Sequence, residues 1–313
     1  MRWWLTFNAH SKMCAILFLL ITFTPLFAQQ VADPNFKPQI DRPAYAEGKG
    51  PVVLIDEAHH NFHTADGRYK PFADLLSRDG YRVIGSKAEF TRESLKDARI
   101  LVIANALSEK NLNRPVLPTF SAFTPEEIAA VRTWVEDGGS LLLIADHMPW
   151  PGAAAKLGSA FGFLLADGFA FTADGSGIMQ FRTEGESLQD HPIVRGRDKR
   201  ESIDSVMTFA GQAFRVRRGV DAKPLMIFGD RALLLMPTEA WRFSKQTPRM
   251  SASGMLQGAT VRHGAGRVAV FGEAAMFTAQ ISKKKKPMGM NHPAAKHNAQ
   301  FLLNVMHWLS DQL

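Results

Sequence analysis

The strongest constraint in this chain is a set of short apolar runs that do not alternate with polar residues. Val52 to Ile55, Ile100 to Ala104, Leu141 to Ala145 and Val268 to Phe271 each stay apolar throughout, then stop at a polar residue or glycine. A strand that faces water on one side alternates. One that does not must be covered on both faces, as in a mostly parallel sheet between helices. The intervening segments supply the helices. Residues 68–78 place Phe72, Leu75 and Leu76 on one face and close at Gly80. Thr124-Pro125-Glu126-Glu127 offers an N-cap, a first-turn proline and a capping-box glutamate. Ile128, Val131, Trp134 and Val135 form the stripe behind it, and Gly138-Gly139 end it. Further helices are expected over 91–98, 153–161, 273–280 and 298–309, and a further strand over 81–84.

This alternation predicts an α/β fold with a doubly wound, mostly parallel sheet. The pattern changes from about 164 to 243. Short β-like runs over 179–182, 206–216, 225–228 and 232–236 follow one another without helices, between turns rich in glycine and aspartate. They imply antiparallel pairing and a β-rich insertion or extension of the sheet.

Composition matters most at the N-terminus. Residues 1–28 hold Arg2 and Lys12, an apolar stretch from Cys14 to Phe27 broken by Pro25, and Ala28 before Gln29-Gln30. This is the layout of a cleaved secretory signal, and at about 14 residues the stretch is shorter than the roughly 20 that span a bilayer. The expectation is a periplasmic or secreted protein with no membrane span after signal cleavage. A linker or arm at 29–50 would precede a domain at 51–313. Cys14 is the single cysteine, so the exported chain has neither disulfides nor a thiolate nucleophile. Without Arg2 and Lys12, 35 basic residues face 30 acidic ones, a mild excess. Its densest run, Lys283 to Lys286, lacks interleaved aromatics and reads as a solvated loop, so no nucleic acid partner is expected. Oligomeric state is not legible.

Polar residues collect where the apolar runs end, and ligands of open parallel sheets bind outside those carboxyl ends. The groups are Asp56-Glu57-Ala58-His59-His60-Asn61-Phe62-His63, Asp146-His147, and Gly272-Glu273, with Asn291-His292 and His297-Asn298 downstream. Three chemistries compete there. Asp56, His59, His63 and His147, with Asp146 nearby, are donors of the kind zinc or manganese accepts, although the spacing is not that of HExxH. Glu57, Asp146 or His147 could act as general acid or base. Nucleophilic catalysis has only Ser176, in a glycine-flanked turn, and no G-x-S-x-G elbow or phosphate-binding glycine motif is present. Trp150, between two prolines, could stack on a sugar ring beside the crevice or anchor a loop in the core.

The order of these pieces resembles the class I glutamine amidotransferase-like superfamily. It is closest to its non-amidotransferase branches, the GIFT-type domains related to gliding and intraflagellar-transport proteins and the trehalose-utilisation-like proteins. The resemblance runs through Val52 to His59, Pro71 to Leu76, Gly80 to Val83, Gly138 to His147, His191-Pro192-Ile193, Gly266 to Glu273 and Asn298–Leu309. It implies a flavodoxin-like layered fold and a link to carbohydrate utilisation. Amidotransferases of this fold carry a cysteine at a strand-to-helix elbow. Here the comparable strand end carries Asp146-His147, which argues against a cysteine-dependent glutamine amidotransferase. The leading expectation is therefore an exported domain that binds a small polar ligand, carbohydrate among the candidates. Asp56, His59, His60, Trp150 and Glu273 would line its site beside Glu57, Asp146 and His147. The alternatives are a hydrolase, metal-dependent in one version, acting on a glycan-related or ester substrate, and an interaction module of the envelope.

Overall fold

A computed structural model describes residues 30–282 and 284–313. The expected signal over 1–28, with Cys14, lies outside them. The first part of the chain contains β1 (Gln30–Ala32), β2 (Val52–Asp56), α1 (Lys70–Arg78), β3 (Arg82–Ser86), α2 (Arg92–Leu95), β4 (Ile100–Ala104), α3 (Pro125–Glu136), β5 (Ser140–Ile144) and α4 (Trp150–Ala160). The β-rich stretch holds β6 (Phe163–Leu165), β7 (Phe169–Thr172), β8 (Ile178–Arg182), α5 (Pro192–Arg195), β9 (Ser205–Phe209), β10 (Phe214–Val216), β11 (Lys223–Ile227) and β12 (Ala232–Leu235), and β13 (Arg249–Ser251) follows just beyond it. The chain then forms β14 (Leu256–His263), β15 (Gly266–Phe271), β16 (Ala279–Ser282), β17 (Pro287–Gly289) and α6 (Asn298–Leu309).

Nine strands form one mixed sheet in the order β3-β2-β4-β5-β15-β14-β10-β6, with β11 also paired to β14. The first five are mutually parallel, and they include all four uninterrupted apolar runs. From β14 onward the pairing is antiparallel. Phe72, Leu75 and Leu76 of α1 and Phe301, Leu302 and Val305 of α6 pack on one face, against Val53, Ile55, Val102, Ile144 and Phe271. Val131 and Val135 of α3 and Ala154 and Leu157 of α4 pack on the other, against Leu101, Ile103, Leu141, Leu143, Val268 and Val270. This two-sided burial is the physical reason the runs carry no polar alternation. The chain moves outward from β2 to β3, then returns across β2 to β4. In open α/β sheets such a reversal is where ligands bind, and here it lies beyond Asp56 and Ala104.

The α3 cap forms as its residues dictate. Thr124 Oγ1 accepts the Glu127 amide at 3.2 Å, and the Glu127 carboxylate accepts the Thr124 amide at 3.0 Å. The stretch at 164–243 is tied to the sheet through β6, β10 and β11, while β7, β12 and β13 form a separate three-stranded sheet and β8 pairs with β9. In the 29–50 arm, β1 pairs antiparallel with β16.

Two expectations need correction. Residues 273–280 are not a helix: a 3-10 turn at Ala275–Phe277 leads directly into β16. Glu273 accepts the amides of Ala275 and Met276, each at 2.7 Å, and so holds a tight turn. The run at 206–216 is two strands, because Ala210 and Gly211 have φ of 87° and 113° and turn the chain between β9 and β10.

Candidate functional site

The polar residues at the strand ends divide into two groups, one toward each face of the sheet. On the α3 face, Asp56 is fully buried and its carboxylate meets His59 Nδ1 at 2.9 and 3.0 Å. His59 Nε2 lies 2.8 Å from Glu127 Oε1. The imidazole sits between the rings of Phe90 and Phe123, at centroid distances of 4.6 and 4.8 Å. Asn61 Nδ2 and the Ala58 amide also donate to Asp56. Burial disfavours the imidazolium, but the Asp56 and Glu127 carboxylates outweigh it and hold the His59 pKa above its usual value. Burial likewise opposes the charge on Glu127, and donors from Thr124, His59 and Phe90 overcome it and lower that pKa. Both ring nitrogens of His59 are engaged, so the group works as a clamp between the β2 end and the cap of α3.

The second group gathers beyond β4, β5 and β15. Asn105, fully buried with φ of 53°, directs its Oδ1 to the Asp146 amide at 2.9 Å and its Nδ2 to His63 Nδ1 at 3.3 Å. Asp146 Oδ1 accepts the His147 amide at 2.7 Å, and Oδ2 accepts the Ala274 amide at 3.4 Å. His147 Nδ1 lies 2.9 Å from the Met148 carbonyl. A carbonyl only accepts, so Nδ1 carries the proton and Nε2 of the neutral ring presents a lone pair. Burial keeps the His147 pKa below its usual value despite Asp146 and the Met148 carbonyl. His63 lies between Asn105 and Gln280 and against Tyr69 and Phe62; burial, Arg68 and His147 push its pKa down to about 3. Glu273 is fully buried, and burial together with the Asp146 charge raises its pKa well above the carboxylate range. Its turn-holding bonds make it a positioning residue.

Aromatic side chains surround His147. Phe169 of β7 stacks on its ring at 4.6 Å and 12°, Trp241 meets it edge-on at 4.6 Å, and Trp150 lies at 4.8 Å. Trp150 begins α4 at 4% exposure and packs on Phe62 as well. Trp241 is 44% exposed with φ of 64°, and Phe243 beside it is 38% exposed.

The structure thus joins Asp146, His147, Glu273 and His63, and places Asp56 and His59 in a separate network. Glu57 turns toward the β3 edge, where its carboxylate accepts the Ala65 amide at 2.9 Å. Gly85 leaves room for it, since a Cβ there would lie 2.6 Å from Glu57 Oε1. His60 is exposed, with φ of 48°. Asp56, His59, His63 and His147 do not form one donor set. Among the described residues, no group of three or more His, Cys, Asp or Glu side chains is arranged to hold a metal ion. Downstream, Asn298 is buried against Met207, and His297 pairs with Asp204 at 3.0 Å. Ser176 occupies an exposed turn capped by Asp174.

Sequence reasoning missed Asn105, Tyr69, Phe169 and Trp241. Asn105 had a signal, as the first polar residue after an apolar run. Phe169 and Trp241 had none, because they come from the β-rich stretch, and Tyr69, at the start of α1, gave no polar signal either. Glu127 was legible as a helix cap but not as the partner of a histidine 68 positions away.

No family model matches the chain, and no curated protein matches its sequence. Solved structures do resemble it. A structure described as "mmIFT52 N-terminal domain" aligns at a TM-score of 0.56 and 14% identity, over 82% of this chain and 96% of that one. A putative thua-like protein from Bacteroides uniformis aligns at 0.46 and 13% identity, over 85% of this chain and 93% of that one. Cytoplasmic protein STM1381 from Salmonella typhimurium aligns at 0.48 and 12% identity, over 83% and 99%. The first likeness shows a shared fold, and the other two are too slight to carry an argument. Among the described residues no helix is long and apolar enough to cross a membrane. What this chain shares with solved proteins is therefore an α/β architecture built on a mixed sheet.

Proposed function

We propose that the strand-end cluster around His147 binds a small polar ligand with an apolar face, and that a sugar ring is its best chemical fit. The observation that carries this reading is Trp241. A tryptophan 44% exposed stands edge-on to a buried neutral histidine, beside the Asp146 carboxylate. Sugar sites combine these two elements: an aromatic face for the C–H side of the ring, and a few fixed acceptors for its hydroxyls. The trehalose-utilisation-like resemblance points the same way. In this reading the parallel half of the sheet is a flavodoxin-like, doubly wound arrangement of the amidotransferase-like kind without its cysteine. Residues 1–28 would direct export and be removed, so the exported protein would begin near Gln29.

The test is a titration of the protein with neutral mono- and disaccharides, followed by tryptophan fluorescence and thermal shift. At least one sugar should shift both signals. Trp241→Ala should abolish binding and Asp146→Asn should weaken it about tenfold, the worth of a charge-assisted hydrogen bond. A blank panel at tens of millimolar ends the proposal. Turnover of a glycoside or ester that Asp146→Asn abolishes would replace binding with hydrolysis.

A further inference from the structure

The strand-end cluster leaves unexplained a cavity of about 990 Å³ at the opposite end of the sheet. It lies where β14 outruns its neighbour. The pairing of β11 with β14 stops at Lys223 opposite Thr260, so Val261 to His263 are paired with β15 alone. Those residues stand opposite Gly266 to Val268, and Arg267 is paired with Ser140. The cavity is therefore level with the first residues of β5 and β15, about 17 Å along the strand from the Glu273 end. It has one wall from the end of α4 and Arg132, and another from His191 and Trp308.

Its charge is not balanced. Arg132 is paired with Glu136 at 2.7 Å, Lys223 with Asp221 at 2.6 Å, and the lining Asp190 with Arg195 at 2.5 Å. Arg217 and Arg262 also line the cavity, and neither has an acidic partner among the described residues. Arg262 even faces a like charge, since it lowers the pKa of Arg267. The floor is polar and fixed. His191 is 7% exposed; its Nδ1 accepts the Ile193 amide at 3.1 Å, which leaves Nε2–H to donate to Thr260 Oγ1 at 3.1 Å. Thr260, a residue 1% exposed, then keeps its own hydroxyl proton to donate.

We infer that this cavity binds a small organic anion, with its phosphoryl or carboxylate group held between Arg217 and Arg262. Two guanidiniums with no acidic partner among the described residues supply the charge and the forked donors that such groups take. The volume is that of a small-molecule site. A polynucleotide is a poorer fit, because the aromatic rings of the lining, Phe161 and Trp308, are 3% and 5% exposed and offer no stacking surface. A peptide strand is also a poorer fit, since the open edge of β14 is three residues long and is flanked by Lys223-Pro224. The inference does not depend on the reading of the His147 cluster.

Calorimetric titration of the whole protein tests it, using glucose 6-phosphate, citrate, glucose and a 12-nucleotide single strand as probes. A phosphate- or carboxylate-bearing probe should bind at millimolar affinity or better and weaken as salt rises. Arg217→Gln and Arg262→Gln, both on exposed side chains, should each reduce affinity about tenfold and together about a hundredfold. Circular dichroism should show both variants folded, and Trp241→Ala should leave this binding unchanged. The inference fails if neither anion binds, if the double variant binds as the native protein does, if glucose binds as well as its phosphate, or if the oligonucleotide binds more tightly than either small anion.

Discussion

Removing the His59 imidazole tests whether the Asp56–His59–Glu127 clamp is ionic in the folded state. In His59→Ala, Asp56 keeps the Ala58 amide and Asn61 Nδ2, and Glu127 keeps the Thr124 amide and hydroxyl and the Phe90 amide. Neither carboxylate is stripped of donors, so the loss falls short of burying two bare charges. Two charge-assisted bonds at about 1.5–3 kcal/mol each, less what remaining donors recover, leave about 3 kcal/mol. Losing the ring between Phe90 and Phe123 adds about 1 kcal/mol of packing. A cost of about 4 kcal/mol corresponds to roughly 8–16 °C in Tm for a chain of this size. The pH dependence is the sharper signature. The folded pKa of His59 lies above 6.5, so its contribution is complete below that pH and disappears as pH rises through the folded value. That of Glu127 lies below 4.5, so its contribution is present above 4.5 and disappears as pH falls through the folded value. The difference between native protein and His59→Ala should therefore be greatest from about pH 4.5 to 6.5 and shrink toward pH 9. Urea denaturation at pH 5.5, 7 and 9 measures it. A difference below 1 kcal/mol, or one that is flat with pH, would refute an imidazolium clamp.

Asp167 presents the opposite case. Burial, opposed by Thr119 and the Gly152 amide, raises its pKa from 3.8 to about 6, so stability should fall as pH rises through that window. Asp167→Asn should stabilise the protein by about 2 kcal/mol at pH 8 and leave it unchanged at pH 4, and equal effects at both pH values would contradict the assignment. Gly211 has φ of 113°, and a Cβ there would lie 2.2 Å from the Gly272 carbonyl beside Glu273. Gly211→Ala should cost more than about 3 kcal/mol, whereas Gly185→Ala, with φ of 84° and nothing within 4 Å, should cost about 1 kcal/mol. Thermal melts of the two variants compare them directly, and similar costs would remove the close approach as the cause.

The sequence by itself determined the parallel half of the sheet. Apolar runs such as Ile100 to Ala104 and the capping box at Thr124 are local signals, and burial on both faces or a cap bond needs no knowledge of distant residues. Placing polar groups at strand ends was legible for the same reason, because each run stops where its strand leaves the core. Tertiary structure alone decided how those groups divide. A residue at a strand end can turn to either face, and the face is set by partners far along the chain: Glu127 draws His59 to one side, while Asn105 and Gln280 hold His63 on the other. The aromatic surround of His147 arrives from β7 and the loop after β12, and antiparallel pairings at long separation leave little trace in local pattern. The cavity beside Arg217 and Arg262 depends on where β11 stops along β14, which is a matter of register and not of composition.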